Sequence, residues 1–229
     1  MKILLISFLV FLNCSENEGD KSVFTNGMKD IQKSEVKDFS APKENLPYYT
    51  KKQFDPIWDE FHPEITSVTN FEFDNQYNKK FTEENLSGKT SIVCFFYTKC
   101  GGICPYVMRN MMRIKDKFKG NKKIQYVSIS VTPETDTPKV LKEYSYKTKF
   151  GGEDWSLLTG KKEKVYSLAR DVFLADTNTY EKRSNDEFIH SEQIYIIDSK
   201  RRIRGIYNGN INGDIERVIK DIQVLEKLN

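Results

Sequence analysis

The sequence predicts an α/β fold, in which a mixed β-sheet is flanked by helices and preceded by an N-terminal β-hairpin. The central observation is the segment 92–97, which is continuously apolar and rich in β-branched and aromatic residues, as in a strand buried inside a sheet. Apolar residues then recur at helical spacing from Val107 to Phe118. Strand-like and helix-like segments alternate through the rest of the chain, which favours a sheet covered by helices on both faces.

The elements before the central strand are short. Residues 67–85 predict the hairpin, because apolar residues alternate up to Phe73, a turn signal begins at Asp74, and Phe81 starts the return. The aromatic-rich segment 47–63 predicts a short element that packs against the domain.

The elements after the first helix follow the same alternation. They are a strand at 124–131, a helix from Thr137 to about Phe150, a strand at 155–158, a helix around 165–169, two strands at 193–198 and 203–207, and a final amphipathic helix over 215–225. The last two strands are joined by a polar turn, so they form an antiparallel hairpin.

A pair of cysteines marks the junction between the central strand and the first helix. Cys100 lies on the loop, and Cys104 is predicted to cap the helix, with Pro105 at its first position. The positive end of the helix dipole favours a thiolate there. Two such thiolates can close as a disulfide or bind a soft metal ion. A cysteine pair on this turn indicates a thioredoxin-like arrangement.

A third candidate group is His190, which immediately precedes the predicted strand at 193–198. In a thioredoxin-like sheet that edge lies close to the cysteine loop, so the imidazole and both sulfurs can converge. Two thiolates and one imidazole suit Cu(I) in a trigonal site, and they accept Cu(II) with a weak extra ligand. Zinc is the competitor, but it usually takes a fourth ligand. Cys94 is predicted to be a core residue and His62 a loop residue.

Composition excludes one class of partner. The chain has 229 residues, a hydrophobic content of 38% and a net charge of only +3, so no nucleic-acid partner is predicted. The basic cluster from Lys200 to Arg204 is interpreted as a solvated hairpin turn. No small-molecule substrate is indicated.

The N-terminus resembles a bacterial lipoprotein signal. Residues 1–13 combine Lys2 with an apolar segment too short to span a bilayer, and Cys14 follows as the predicted lipidation site. Residues 14–46 predict a flexible tether, and 47–229 the folded domain. The expected location is the bacterial cell envelope, with the domain lipid-anchored and facing the periplasm.

The residues around the cysteine pair resemble the signature of the Sco/SenC family, copper chaperones that assist cytochrome c oxidase assembly. The matching motif runs from Phe95 through Cys100 and Cys104 to Pro105, and further matching pieces include Ile189-His190-Ser191. The resemblance implies a thioredoxin-like fold, copper bound by Cys100, Cys104 and His190, and delivery to the binuclear copper centre of oxidase subunit II. Thr132 stands where many relatives carry Asp.

A thiol–disulfide oxidoreductase acting on oxidase or other envelope cysteines is the alternative, and whether the chain is an enzyme stays open. General thioredoxin-type enzymes use a CxxC pair and a cis-proline that faces it. Here the spacing is one residue longer, and no proline follows Pro138. A peroxidase would need a lone activated cysteine with its own supporting residues, which the sequence does not show.

Overall fold

The strongest apolar segment of the sequence becomes the middle of a seven-stranded sheet. The computed structural model describes residues 45–50, 56–175 and 191–228. The strands in this part of the chain are β1 (Glu72–Asn75), β2 (Lys80–Thr82), β3 (Thr90–Phe96), β4 (Ile124–Ser130), β5 (Trp155–Thr159), β6 (Gln193–Ile197) and β7 (Ile203–Asn208). They are ordered β2-β1-β5-β4-β3-β6-β7.

The pairing of these strands is mixed. β3 and β5 both run parallel to β4, whereas β6 runs antiparallel to β3 and β7 antiparallel to β6. The N-terminal hairpin of β1 and β2 extends the opposite edge, where β1 is antiparallel to β5. The predicted mixed sheet with an N-terminal hairpin is confirmed.

Helices cover both faces of the sheet. The described residues form α1 (Cys104–Lys117), α2 (Pro138–Thr148), α3 (Lys162–Ser167) and α4 (Asn212–Leu228), and α3 continues as a π-helical turn, Leu168–Val172. Apolar residues of α1, α2 and α4 pack with Ile92, Cys94 and Phe96 of β3. Alternate residues of β3, Val93 and Phe95, face α3 and the hairpin instead.

Two predicted boundaries are corrected. Helix α1 begins at Cys104 itself, because the carbonyl of Ile103 accepts the first hydrogen bonds from Tyr106 and Val107 (3.0 and 3.2 Å). Cys104 is therefore the first helical residue and not the cap. Strand β1 continues through Asp74, which had been predicted to begin the turn, and the turn lies at 76–79.

The first described residues pack against β7. Leu46, placed in the tether by the sequence, is buried in the core. Arg204 donates to the carbonyls of Leu46 (2.6 Å) and Pro47 (3.0 Å) and pairs with Asp198 at 3.2 Å. The prediction of a solvated turn is wrong for Arg204, which is 3% exposed, because Asp198 and these carbonyls compensate its buried charge.

Candidate metal centre

The cysteine loop leaves the sheet at its centre. β3 ends at Phe96, the loop continues to Ile103, and α1 begins at Cys104. The backbone N–H of Cys100 donates to the carbonyl of Tyr97 at 3.3 Å, which turns the chain back towards the helix. A Cβ on Gly101 would meet no heavy atom within 4 Å. Cys100 lies on this loop and packs partly against the core.

The two sulfurs have different environments. Cys100 is partly buried, Cys104 is 4% exposed, and neither forms a disulfide. Partial burial would raise the pKa of Cys100, but hydrogen bonds from the backbone of Cys104 and Gly102 outweigh it and lower that pKa below its usual range. Burial raises the pKa of Cys104 to about 12. The pair thus combines a thiol whose pKa is lowered with one whose pKa is raised.

Tyr97 adjoins the more acidic thiol. Burial and the hydrogen bond with Cys100 raise the pKa of Tyr97 to about 12, so its phenol remains protonated. The same hydrogen bond contributes to the lowered pKa of Cys100. Tyr97 therefore acts as a donor to the sulfur of Cys100, a role that the sequence reasoning did not assign.

A buried carboxylate supports the start of the loop. Asp136 is fully buried and accepts hydrogen bonds from the backbone N–H (3.0 Å) and the hydroxyl (2.6 Å) of Thr98. Ser130 donates to it at 2.6 Å and Thr132 at 3.1 Å. Thr132 is thus a hydrogen-bond donor to a carboxylate at this site. The sequence reasoning missed the role of Asp136 because the residue lies in a run of turn-forming residues.

The third described cysteine belongs to the core. Cys94 is fully buried, with its sulfur 3.2 Å from the hydroxyl of Ser128 and 4.0 Å from the sulfur of Met108. Burial raises the pKa of Cys94 to about 12, which Ser128 only partly offsets. Met108 and Met111 are likewise buried. Cys94 is therefore a core residue, as predicted.

The chain that follows His190 returns to the first helix. The carbonyl of Glu192 accepts from the N–H of Gly209 at 2.7 Å, and Asn110 of α1 donates to the carbonyl of Gly209 at 2.7 Å. A Cβ on Gly209 would meet both the Glu192 carbonyl (2.7 Å) and the side chain of Val107 (3.1 Å). Gly209 therefore joins the segment before β6 to the part of α1 that lies one helical turn from Cys104.

Two predicted site residues, His190 and Cys14, lie outside the described residues. Within residues 45–50, 56–175 and 191–228, no group of three or more His, Cys, Asp or Glu side chains is arranged to hold a metal ion. The other histidine, His62, accepts a hydrogen bond from the backbone N–H of Glu64 at 3.3 Å, which is typical of a loop residue.

None of the helices in the described part of the chain has the length and apolar character to cross a membrane.

Many solved structures resemble this chain, including the following three. A SCO1/SenC family lipoprotein from Bacillus anthracis is 31% identical, with a TM-score of 0.62 over 70% of this chain and 95% of that one. BsSco, described as a member of the Sco family of cytochrome c oxidase assembly proteins with a disulfide switch, is 29% identical, with a TM-score of 0.62 over 72% and 95%. Copper-bound ScoI of Arabidopsis thaliana is 28% identical, with a TM-score of 0.53 over 71% and 98%.

The family assignment covers most of the chain. These likenesses confirm the predicted thioredoxin-like fold. Residues 60–226 match the SCO1/SenC family, and this range includes both cysteines of the loop and every strand described above. The chain therefore belongs to the SCO1/SenC family.

Proposed function

We propose that this chain binds copper through Cys100, Cys104 and His190 and delivers it to the binuclear copper centre of cytochrome c oxidase subunit II. The observation that carries the proposal is the free thiol pair at the junction of β3 and α1, with Cys100 partly buried and Cys104 almost fully buried. Copper-bound ScoI and the oxidase assembly protein BsSco, both similar to this chain, support it.

The donor set fits copper. Thiolates are soft ligands, and a third ligand of imidazole type completes a trigonal Cu(I) site or part of a Cu(II) site. The lowered pKa of Cys100 favours its thiolate before the metal arrives. Cys104 loses its proton only when copper replaces it, because metal binding displaces the protons of its ligands.

Chain connectivity supports His190 as the third ligand. The carbonyl of Glu192 and the side chain of Val107, one helical turn from Cys104, both border Gly209. His190 comes two residues before Glu192 in the sequence, so the segment that carries the imidazole enters the described fold at this junction.

We also propose that the chain is a lipoprotein of the bacterial envelope. Residues 1–13 are removed, Cys14 carries the lipid, and the domain faces the periplasm at the end of the tether. Since Asn45 and Leu46 already pack against Arg204, the tether proposed here ends before them. The similar lipoprotein of Bacillus anthracis supports this location.

The test is copper binding by single variants of the full-length protein. The reduced protein should bind about one copper per chain, as expected for a three-ligand soft site. Cys100→Ala and His190→Ala should each lower copper affinity by more than about 100-fold. Loss of a residue that only hydrogen-bonds to a ligand lowers metal affinity by up to about 100-fold, and loss of a ligand itself should cost more. Cys94→Ala and His62→Ala are the controls and should keep both stoichiometry and affinity. Unchanged binding by Cys100→Ala would contradict the site.

The second candidate function is reduction of a disulfide in the oxidase or another envelope protein. It is favoured by the difference between Cys100, a partly buried thiol with a lowered pKa, and Cys104, a buried thiol with a raised pKa. Such a pair suits thiol–disulfide exchange, in which one thiolate attacks and the other resolves. His190→Ala separates the two functions, because exchange needs no imidazole. Normal oxidase activity in cells with this variant at limiting copper would favour the reductase.

A further inference from the structure

We infer that the surface beside the cysteine loop is the docking site for the protein that receives the copper, and that it recognises a partner whose accepting site is bordered by carboxylates. This inference rests on the proposed function. The surface is a hollow of about 650 Å³, which we call the loop-side hollow. Its lining includes Gly101, Gly102, Tyr106, Arg109, Asn110 and Asn212.

The position of the hollow links it to the site. Gly101 and Gly102 belong to the loop between Cys100 and Cys104, so whatever fills the hollow touches the segment that holds both thiols. If either glycine carried a Cβ, that atom would have no heavy-atom neighbour within 4 Å. A partner can therefore approach the loop backbone closely on this side.

The charge of the hollow is positive. The guanidinium of Arg109 lies 4.5 Å from the centre of the Tyr106 ring, and no carboxylate among the described residues forms an ion pair with it. Arg113, farther along α1, pairs with Glu216 at 3.6 Å. The carboxylate of Glu192 is an acidic group beside the hollow. It accepts hydrogen bonds from the side-chain amides of Asn208 and Asn210 and forms no ion pair with Arg109. Arg109 thus offers an unpaired cation beside the loop, which a carboxylate on the partner complements.

Exposed apolar side chains stand at the same place. Tyr106 is 59% exposed, and Ile211, next to the lining residue Asn212, is 53% exposed. Tyrosine and arginine are enriched in protein–protein interfaces, and tyrosine fixes a large contact area at small entropic cost. An aromatic ring, an unpaired guanidinium and asparagine amides together suit a polar protein surface with acidic groups.

The experiment measures copper transfer from the copper-loaded full-length protein. The probe is the metal-free, soluble copper-binding domain of oxidase subunit II. Arg109→Glu should slow transfer about tenfold at low salt, and the difference should shrink at high salt because the charges are screened. Its copper affinity, measured against a chelator, should be unchanged. Tyr106→Ala should slow transfer at both salt concentrations.

Matched controls lie on α2, away from the hollow. Lys142 is an exposed cation, and Tyr146 is 62% exposed, close to the value for Tyr106. Lys142→Glu and Tyr146→Ala should transfer copper at the wild-type rate. Wild-type transfer by Arg109→Glu at low salt, equal slowing by Lys142→Glu, or a defect confined to binding of anionic phospholipid vesicles would overturn the docking surface. Failure of the wild-type protein to transfer any copper would instead overturn the proposed function beneath it.

Discussion

Cys100 and Cys104 differ in acidity because the loop and the helix give them different neighbours. Cys100 receives hydrogen bonds from backbone N–H groups and from Tyr97, which stabilise the thiolate more than partial burial disfavours it. Cys104 is enclosed by the core, and its pKa rises to about 12. When the metal-free pair loses its first proton, the negative charge therefore falls on Cys100 and not on Cys104.

Removing the phenol of Tyr97 tests this asymmetry. Tyr97→Phe takes away a donor that lowers the pKa of Cys100, so that pKa should rise. Since a higher pKa leaves less thiolate at a given pH, alkylation of Cys100 by iodoacetamide should require a higher pH. Each unit of pKa difference changes the thiolate population about tenfold. The midpoint of the pH profile of alkylation, followed by mass spectrometry, measures the shift.

Tyr146→Phe is the control, because it removes a phenol hydroxyl from a different part of the molecule. The pH profile of Cys100 alkylation in this variant should match that of the wild type. In every variant Cys104 should react far more slowly than Cys100 below pH 10, because its pKa is about 12. Faster alkylation of Cys104 than of Cys100 would contradict the assignment of the acidic thiol.

At the scale of elements, the end of β7 holds the segment before β6 against α1. Gly209 bonds to the carbonyl of Glu192 through its N–H, and to the amide of Asn110 through its carbonyl. The space above its Cα is filled by Glu192 and Val107. This close packing connects three elements at one residue, and only a residue without a Cβ fits there.

Gly209→Ala should disturb this junction. Its Cβ would lie 2.7 Å from the carbonyl oxygen of Glu192, so one of the two segments must move. We expect a loss of about 1–3 kcal/mol in the free energy of unfolding, as for overpacked sites. Copper affinity should also fall, because the displaced segment leads directly to His190. Chemical denaturation and chelator competition measure the two effects.

Gly213→Ala is the matched control, since nothing lies within 4 Å of a Cβ built there and the residue is in α4. It should leave copper affinity unchanged and should not destabilise the protein. If Gly209→Ala unfolds at the same denaturant concentration as this control, the proposed tight junction is absent.

The elements that the sequence predicted well are those with local signals. The apolar run of β3 and the helical spacing of α1, with Pro105 in its first turn, place the cysteine loop within one residue. Arg204 and Asp136 were missed because their burial depends on partners brought by the fold. Arg204 needs carbonyls 157 and 158 positions away, and Asp136 needs Thr98, 38 positions away. Pairing of β1 with β5 is equally non-local.

At the scale of the whole molecule, the proposed function requires a folded domain held at a membrane. The described residues contain no helix suited to crossing one. The attachment proposed above is the lipid on Cys14, and stable anchoring by lipid takes more than one acyl chain. If this proposal is right, the location of the protein depends on Cys14.

Cys14→Ala tests the anchor. Without the lipidation site, the protein should leave the membrane fraction or remain as the uncleaved precursor, whereas Cys94→Ala should stay in the membrane fraction. Fractionation of cells followed by immunoblotting and mass measurement of the N-terminus distinguishes these outcomes. A processed Cys14→Ala protein that still sediments with membranes would mean that something other than a lipid holds it.

The antiparallel pairing of β3 with β6 also ties copper loading to the maturity of the fold. The cysteines follow β3 and His190 precedes β6, so the three proposed ligands come together only after strands that are about a hundred residues apart have paired. A chain still unfolded offers two thiols alone and holds copper less tightly. Copper that binds the folded form preferentially raises its stability in proportion to the logarithm of metal concentration. Copper at the proposed site is therefore held most tightly by molecules in which β3 and β6 have paired.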